Sequence, residues 1–250
     1  MTLFSSEWLK LRTTRVPWIL LALTVVFSAV VTAALVGSGT LDDEEDRALA
    51  LAQGASFWST LVTIAGILIV TNEYRHGTVM TTFLAEPRRV RVLLAKLVTA
   101  LLAGAAFALA AALVTAAVAI PWLAARGHGL ALDGQALEAV VRLVAAFALS
   151  AALGAAVGAI IQSQVGTIVA VFVWFLIAEN IIGVVSALLW GDLGEPDPVS
   201  PYLPGTALSG IVGGQGNEFM LGGGASTLLA TAYVAAFAAA GAFAMTRRDP

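Results

Sequence analysis

The stretch from Val16 to Gly37, VPWILLALTVVFSAVVTAALVG, holds no charged side chain. About 20 apolar residues in a row reach across the roughly 30 Å hydrocarbon core of a bilayer. In that medium each backbone N–H and C=O must be satisfied within the segment, so the run is constrained to be a helix. Five further apolar runs follow, and the predicted spans lie near 17–36, 54–71, 91–120, 139–161, 165–190 and 225–246. The whole chain, 59% hydrophobic and 12% charged, is far from the roughly 25% charge of soluble domains. The expectation is an all-α integral membrane protein, a single transmembrane domain over residues 1–250 with six transmembrane helices.

Lys10, Arg12 and Arg15 precede the first run in the manner of a signal peptide. The run is longer than an h-region of about 7 to 15 residues, so it is read as a retained span. Pro17 falls in its first turn, where a missing N–H is tolerated. Orientation follows from the basic residues. With the N-terminus inside, ten of the thirteen Lys and Arg lie on the cytoplasmic side: Lys10, Arg12, Arg15, Arg75, Arg88, Arg89, Arg91, Lys96, Arg247 and Arg248. Arg47, Arg126 and Arg142 lie opposite. Both termini are therefore expected in the cytoplasm of a bacterial cell, with the chain in the plasma membrane. The third run, about 45 Å long at 1.5 Å per residue, exceeds the hydrocarbon thickness and is expected to project its Arg91–Lys96 end into the cytoplasm.

Several chemistries are excluded. No cysteine is present, no HExxH or GxSxG occurs, and His76 and His128 fall on opposite sides of the expected membrane. The two lysines follow Leu9 and Ala95, so no phosphate-binding loop with its GK[ST] ending exists. The chain is thus not expected to be an enzyme by itself, or to bind a metal or cofactor. A net charge of −3, with the cations at membrane edges, gives no stripe for nucleic acid. The acidic run at 41–46 lacks a calcium-loop pattern and reads as a solvated helix start. The glycine-rich stretch 213–224 lacks lysine and reads as a flexible re-entrant loop.

Polar residues inside the runs need partners. Glu179, beside Asn180 and midway along the fifth run, would cost about 2.5 to 3.5 kcal/mol if it faced lipid. It is either a pathway or proton-relay residue or a structural hydrogen bond to another span. Thr24, Ser28 and Thr32 share one helix face, and Gly154 with Gly158 forms GxxxG, a close-packing surface within the chain or across a dimer. Gln162-Ser163-Gln164 leaves room for a tight hairpin only. Between the fifth and sixth runs, prolines precede a short apolar patch, 207–212, read either as re-entrant outer helices or as an external loop. No internal repeat relates the two halves, so an inverted-repeat carrier is not supported.

The most polar and basic segment is NEYRHGTVMTTFLAEPRRVR, residues 72–91. Gly77 offers a break, Thr78 can cap a helix through its hydroxyl, and Pro87 pushes Glu86 out of the α region. Met80, Phe83 and Leu84 at i, i+3 and i+4 form one apolar face on about two turns. A helix that short needs something to pack on.

The run EYRHGTVMTTFLAEPRRVRVLLAK resembles the coupling-helix region of ABC type 2 exporter permeases. SEWLKLR at 6–12 is similar to their N-terminal interfacial segment and FAMTRRDP to their C-terminal ending. The six-span plan, the Glu in the fifth run and the proline-containing outer loop extend the resemblance over nearly the whole chain. It implies the permease subunit of an exporter, paired with a second permease as homodimer or heterodimer, with membrane lipids around it. ATP and Mg would be held by two copies of a separate ATPase subunit. It implies that Glu73, Arg75, Gly77, Thr78, Met80, Phe83, Leu84, Glu86, Pro87 and Arg88 couple the chain to that ATPase. The interfacial helix would carry Phe4, Trp8 and Leu11 on its apolar face, which Glu7 interrupts. Drug, antibiotic, lipid and peptide are all open as substrates. A sensor or immunity subunit that moves nothing, or an ion-coupled carrier using Glu179, are the other readings.

Overall fold

The computed structural model describes residues 3–39, 47–56, 59–127, 134–190, 198–213 and 220–247, and among them it is helical with no strand. The acidic run 41–46, His128, Asp133, Asp192, Glu195, Asp197, Glu218 and Arg248 lie outside the described residues. In chain order the helices are α1 (Leu3–Thr13), α2 (Arg15–Gly37), α3 (Arg47–Ser56), α4 (Ser59–Arg75), α5 (Val79–Ala85), α6 (Arg89–Ala125) and α7 (Gly134–Ile161). A helix then runs through α8 (Gln164–Val173), a π-helical stretch at Trp174–Ala178 and α9 (Glu179–Trp190). A 3-10 turn (Ser200–Tyr202), α10 (Pro204–Gly213) and α11 (Gly223–Arg247) complete the order.

Among the described residues five segments are long and apolar enough to cross a membrane: Arg15–Gly37, Arg89–Ala125, Gly134–Ile161, Gln164–Leu189 and Gly223–Arg247. They match the first, third, fourth, fifth and sixth predicted runs, mostly with longer ends. Of the second run, residues 54–56 fall in α3 and 59–71 in α4, while 57 and 58 lie outside the described residues. α4 is deep in the protein, with Val62, Ile67 and Val70 fully buried.

α7 is the centre of the assembly, packed on α4, α6 and α11 and touched by α3 and α10. Its small side chains explain this. Ser150, Ala151, Ala155, Ala156 and Ala159 are buried along it, and small residues let helix backbones approach closely where lipid gives no hydrophobic drive. A Cβ added at Gly154 would overlap the carbonyl oxygen of Thr63 on α4, and one at Gly158 would press on Thr71. The GxxxG pair is thus used inside the chain. Gly66 of α4 and Gly104 of α6 return the arrangement, each against a backbone carbonyl of α7. On α2, the Thr24, Ser28 and Thr32 face is buried in the packing of α2 on α6, where the Thr32 hydroxyl donates to that of Thr115 at 3.3 Å.

The α7–α8 connection is the tight hairpin expected: Gln162 adopts φ 58°, and the Ser163 hydroxyl caps α8 by accepting the Gly166 N–H at 3.3 Å. At the other end of the molecule Arg126 donates to the carbonyls of Val36 and Gly37, which closes the C-terminus of α2 with a cation, as its dipole favours.

The close crossings give a direct test. Gly66→Ala forces a methyl group onto the Ala151 carbonyl and should destabilise by about 1 to 3 kcal/mol, the range for overpacking. A lowered thermal midpoint in detergent is expected, whereas Gly222→Ala, where the added carbon meets nothing within 4 Å, should leave it unchanged.

Candidate functional site

Three segments meet at the end of the molecule where the basic residues gather: the end of α4 with α5, the start of α6 that follows it, and α1 from far earlier in the sequence. Their joint is ionic. Lys96, eighth residue of α6, is 1% exposed, although its position in a long helix suggested a side chain projecting into water. It is covered because α1 lies across α6 and turns Glu7 inward. The Lys96 ammonium sits 2.8 Å from Glu7 Oε2 and 3.0 Å from Glu73 Oε1, and donates to the Ile69 carbonyl at 3.3 Å. An ammonium has three donors, and here each has an oxygen. Lys10 closes the group from the rim, 2.7 Å from Glu7 and 2.6 Å from Glu73. Burial pulls the Lys10 ammonium down, but hydrogen bonds and charge from Glu7 and Glu73 outweigh it and hold its pKa above the ordinary lysine value.

Two acids and two bases thus form a neutral cluster, the form in which buried charge is tolerated. Glu7 is the residue that spoiled the apolar face of α1, and here it is the reason for α1's placement. Phe4 and Trp8 stack on the other side, ring centroids 6.3 Å apart, each 37% exposed. Leu11 is half-buried and lines cavities on both flanks of α1.

α5 hangs from this cluster. Glu73 Oε1 also accepts the Thr82 hydroxyl at 3.2 Å, and the Glu73 carbonyl accepts the Thr78 N–H at 2.9 Å. Gly77 makes the break expected of it at φ 67°, in the left-handed region that glycine enters freely. Pro87 ends the helix as expected, with Glu86 extended at φ −137° and ψ 100° and its carboxylate accepting the Arg88 N–H at 3.2 Å. Arg75 reaches across to Gln164 at 3.1 Å, tying the α4 end to the α7–α8 hairpin.

Two expectations for α5 need correction. Thr78 makes no side-chain cap, since its backbone at φ −88° and ψ 0° is already helical rather than extended. A capping hydroxyl needs the extended form. Nor do Met80, Phe83 and Leu84 share one environment. Phe83 packs toward the core beneath the Arg89 guanidinium, 5.1 Å from its ring centroid, and the same guanidinium donates to the carbonyl of Met245 near the end of α11. Val79, one turn earlier, is buried beside it. Met80 and Leu84 face away, Leu84 at 85% exposure.

Glu179 and Asn180 are elsewhere, midway along α8–α9. Glu179 accepts the Trp174 indole N–H and the Gly205 backbone N–H, both at 2.7 Å, and so caps α10. Asn180 donates to the carbonyls of Phe175 and Leu176 in its own π-helical stretch. They are therefore not brought to the α5 end. The residues that sequence reasoning missed are Glu7, Lys10 and Lys96 as partners of Glu73. The one signal was the presence of charge where an apolar face was expected. Among the described residues no group of three or more metal-ligating side chains forms a site.

No curated protein matches the chain. A family model described as ABC-2 family transporter protein matches residues 3–178, which takes in α1, the ionic joint, α5 and the central helices. Removing one partner from the joint leaves a buried charge uncompensated, a loss of about 3 to 5 kcal/mol. Lys96→Met should therefore lower the thermal midpoint sharply. Glu7→Gln combined with Lys96→Met should destabilise less than the sum of the two single changes, as a double-mutant cycle on contacting residues reads out. The chain belongs to the ABC-2 transporter family, the membrane permease components of ABC transporters.

Proposed function

We propose that this ABC-2 family chain is the permease subunit of an ATP-binding cassette exporter, and that α5 is the helix through which a separate ATPase drives it. The observation that carries this reading is the division of α5. Its Val79–Phe83 side and Glu73–Thr82 contact are anchored in the protein, while Met80 and Leu84 present bare apolar surface. Exposed apolar side chains on a short, rigidly held helix suit insertion into a groove of a partner. An ion-coupled carrier using Glu179 is disfavoured by the two hydrogen bonds that engage that carboxylate.

In this proposal the α5 end is cytoplasmic, as the gathering of basic residues there favours, and both termini are on that side of a bacterial plasma membrane. α4, with many of its side chains buried in protein, is the sixth crossing. The α10 segment re-enters from the outer side. Glu179 is eleven residues before the end of α9, about 16 Å along the helix, and Gly205 meets it there. Tyr233, ten residues into α11, donates its hydroxyl to the Tyr202 carbonyl at 2.7 Å, at a similar depth. The exposed apolar faces of α2 and of α8–α9 would meet lipid and a second permease, identical or not.

Two ATPase copies, each holding ATP and Mg, would press on α5 as they close. The ionic joint gives that push a stiff path. Movement of Glu73 carries Lys96 of α6 and Glu7 of α1 with it, since separating the charges in a dry site is unfavourable. Arg88 on the loop after α5 is exposed and would pair with acids on the ATPase. The substrate class proposed is a drug, antibiotic, lipid or peptide moved outward, and a sensor or immunity subunit that moves nothing would use the same docking helix.

Leu84→Asp should lower ATP-dependent transport at least tenfold and weaken co-purification of the ATPase, while the thermal midpoint of the permease stays unchanged. Phe83→Ala should act differently and lower that midpoint, because Phe83 is held beneath Arg89. Wild-type transport and ATPase recovery in the Leu84→Asp variant would overturn the docking assignment. ATPase binding and turnover with no vectorial movement of any compound would favour the sensor.

A further inference from the structure

A second feature of the protein lies far from α5. Between α4, α7, α8, the π-helical stretch and α11 is a cavity of about 250 Å³, with Thr63, Val157, Trp174, Phe175, Pro204 and Phe237 among its walls. Three of these are aromatic. The lining offers no free charge, and its hydroxyl, that of Thr63, already donates to the Ser59 carbonyl at 3.1 Å. Two walls are held by one group. Glu179 Oε1 accepts the indole N–H of Trp174 and the N–H of Gly205, next to Pro204.

We propose that this cavity binds a small uncharged aromatic molecule, and that Glu179 is the positioning residue that fixes the spacing of its Trp174 and Pro204 walls. The chemistry of the occupant follows from the lining. A charged or strongly polar ligand would lose its hydration with nothing to replace it. An enclosed apolar cavity of about 150 Å³ accepts benzene; this space of about 250 Å³, open on the side where Trp174 is 41% exposed, accommodates two fused rings. Aromatic rings around an aromatic guest gain from edge and offset stacking. Glu179 does not line the space, so it acts through the residues it holds. The π-helical turn is what permits this: the five residues Trp174–Ala178 place Trp174 and Glu179, five apart, within hydrogen-bonding reach of each other. The assignment does not require an ATPase, and it stands or falls separately from the exporter reading.

The test uses the full chain, without ATPase, in phosphatidylcholine nanodiscs, with an uncharged naphthyl diazirine as photoprobe and mass spectrometry to locate the label. Saturable labelling at Trp174, Phe175 or Phe237 is expected, abolished by excess naphthalene and untouched by naphthalenesulfonate. Val157→Phe, which fills the cavity, should remove the saturable labelling. Glu179→Ala should raise the half-saturating probe concentration at least tenfold, and Glu179→Gln, which keeps an acceptor oxygen for the Gly205 N–H, should restore most of it. Should Glu179→Ala fail to fold, Trp174→Phe, which keeps a ring but removes the indole donor, should raise that concentration at least threefold. Labelling that never saturates, or that changes with lipid chain length and not with naphthalene, would mean that a lipid tail occupies the cavity and would overturn the site. Unchanged affinity in a folded Glu179→Ala variant, or in Trp174→Phe, would overturn the positioning role.

Discussion

Charge that leaves water must be matched, and in this protein that requirement fixes the arrangement of one whole end. The ammonium of Lys96 is as buried as any aliphatic side chain in the core. It is tolerable there only because Glu7 arrives from α1 and Glu73 from α4. Neither acid could be buried without a cation either, so the three helices fix one another's positions. The small-residue crossings of α7 with α4 and α6 then determine how closely the rest of the bundle closes. The ionic joint adds its own constraint on register, since a displacement of one helix turn would part the carboxylates from their ammonium groups.

α5 inherits this precision. Seven residues are too few for a helix to persist by its own hydrogen bonds, so α5 is held at both ends and on one side. Thr82 and the Thr78 N–H fasten it to Glu73, Gly77 and Pro87 stop it, and Phe83 is covered by Arg89. The outward pair Met80 and Leu84 is what remains.

Much of this was legible in the sequence where the signal is local. Apolar runs of bilayer length mark their own helices, Gly77 and Pro87 mark their own turns, and Gln162-Ser163 can be nothing but a short hairpin. Thr78 was given a hydroxyl cap on the strength of residue type, and the backbone there proved helical. Most of the site was illegible for a different reason. Glu7 and Lys96 are 89 positions apart, and nothing periodic links them; Glu7 looked like a flaw in an amphipathic face and Lys96 like one more cation at a membrane edge. Glu179 was recognisable as a residue in need of a partner, but its partners are the Trp174 indole in its own helix and the backbone N–H of Gly205, and the second carries no sequence signature.

Arg89 adds a matter of timing. A chain leaves the ribosome N-terminus first, and domains generally form in that order. Glu7, Lys10, Glu73 and Lys96 are all present once the first hundred residues have emerged, so the ionic joint can close early. The guanidinium that covers Phe83 has its carbonyl partner at Met245, within the last turn of the final described helix. The face proposed for docking thus awaits a residue 156 positions beyond Arg89, and a nascent chain that has not yet made α11 would offer a partner only an unfinished surface.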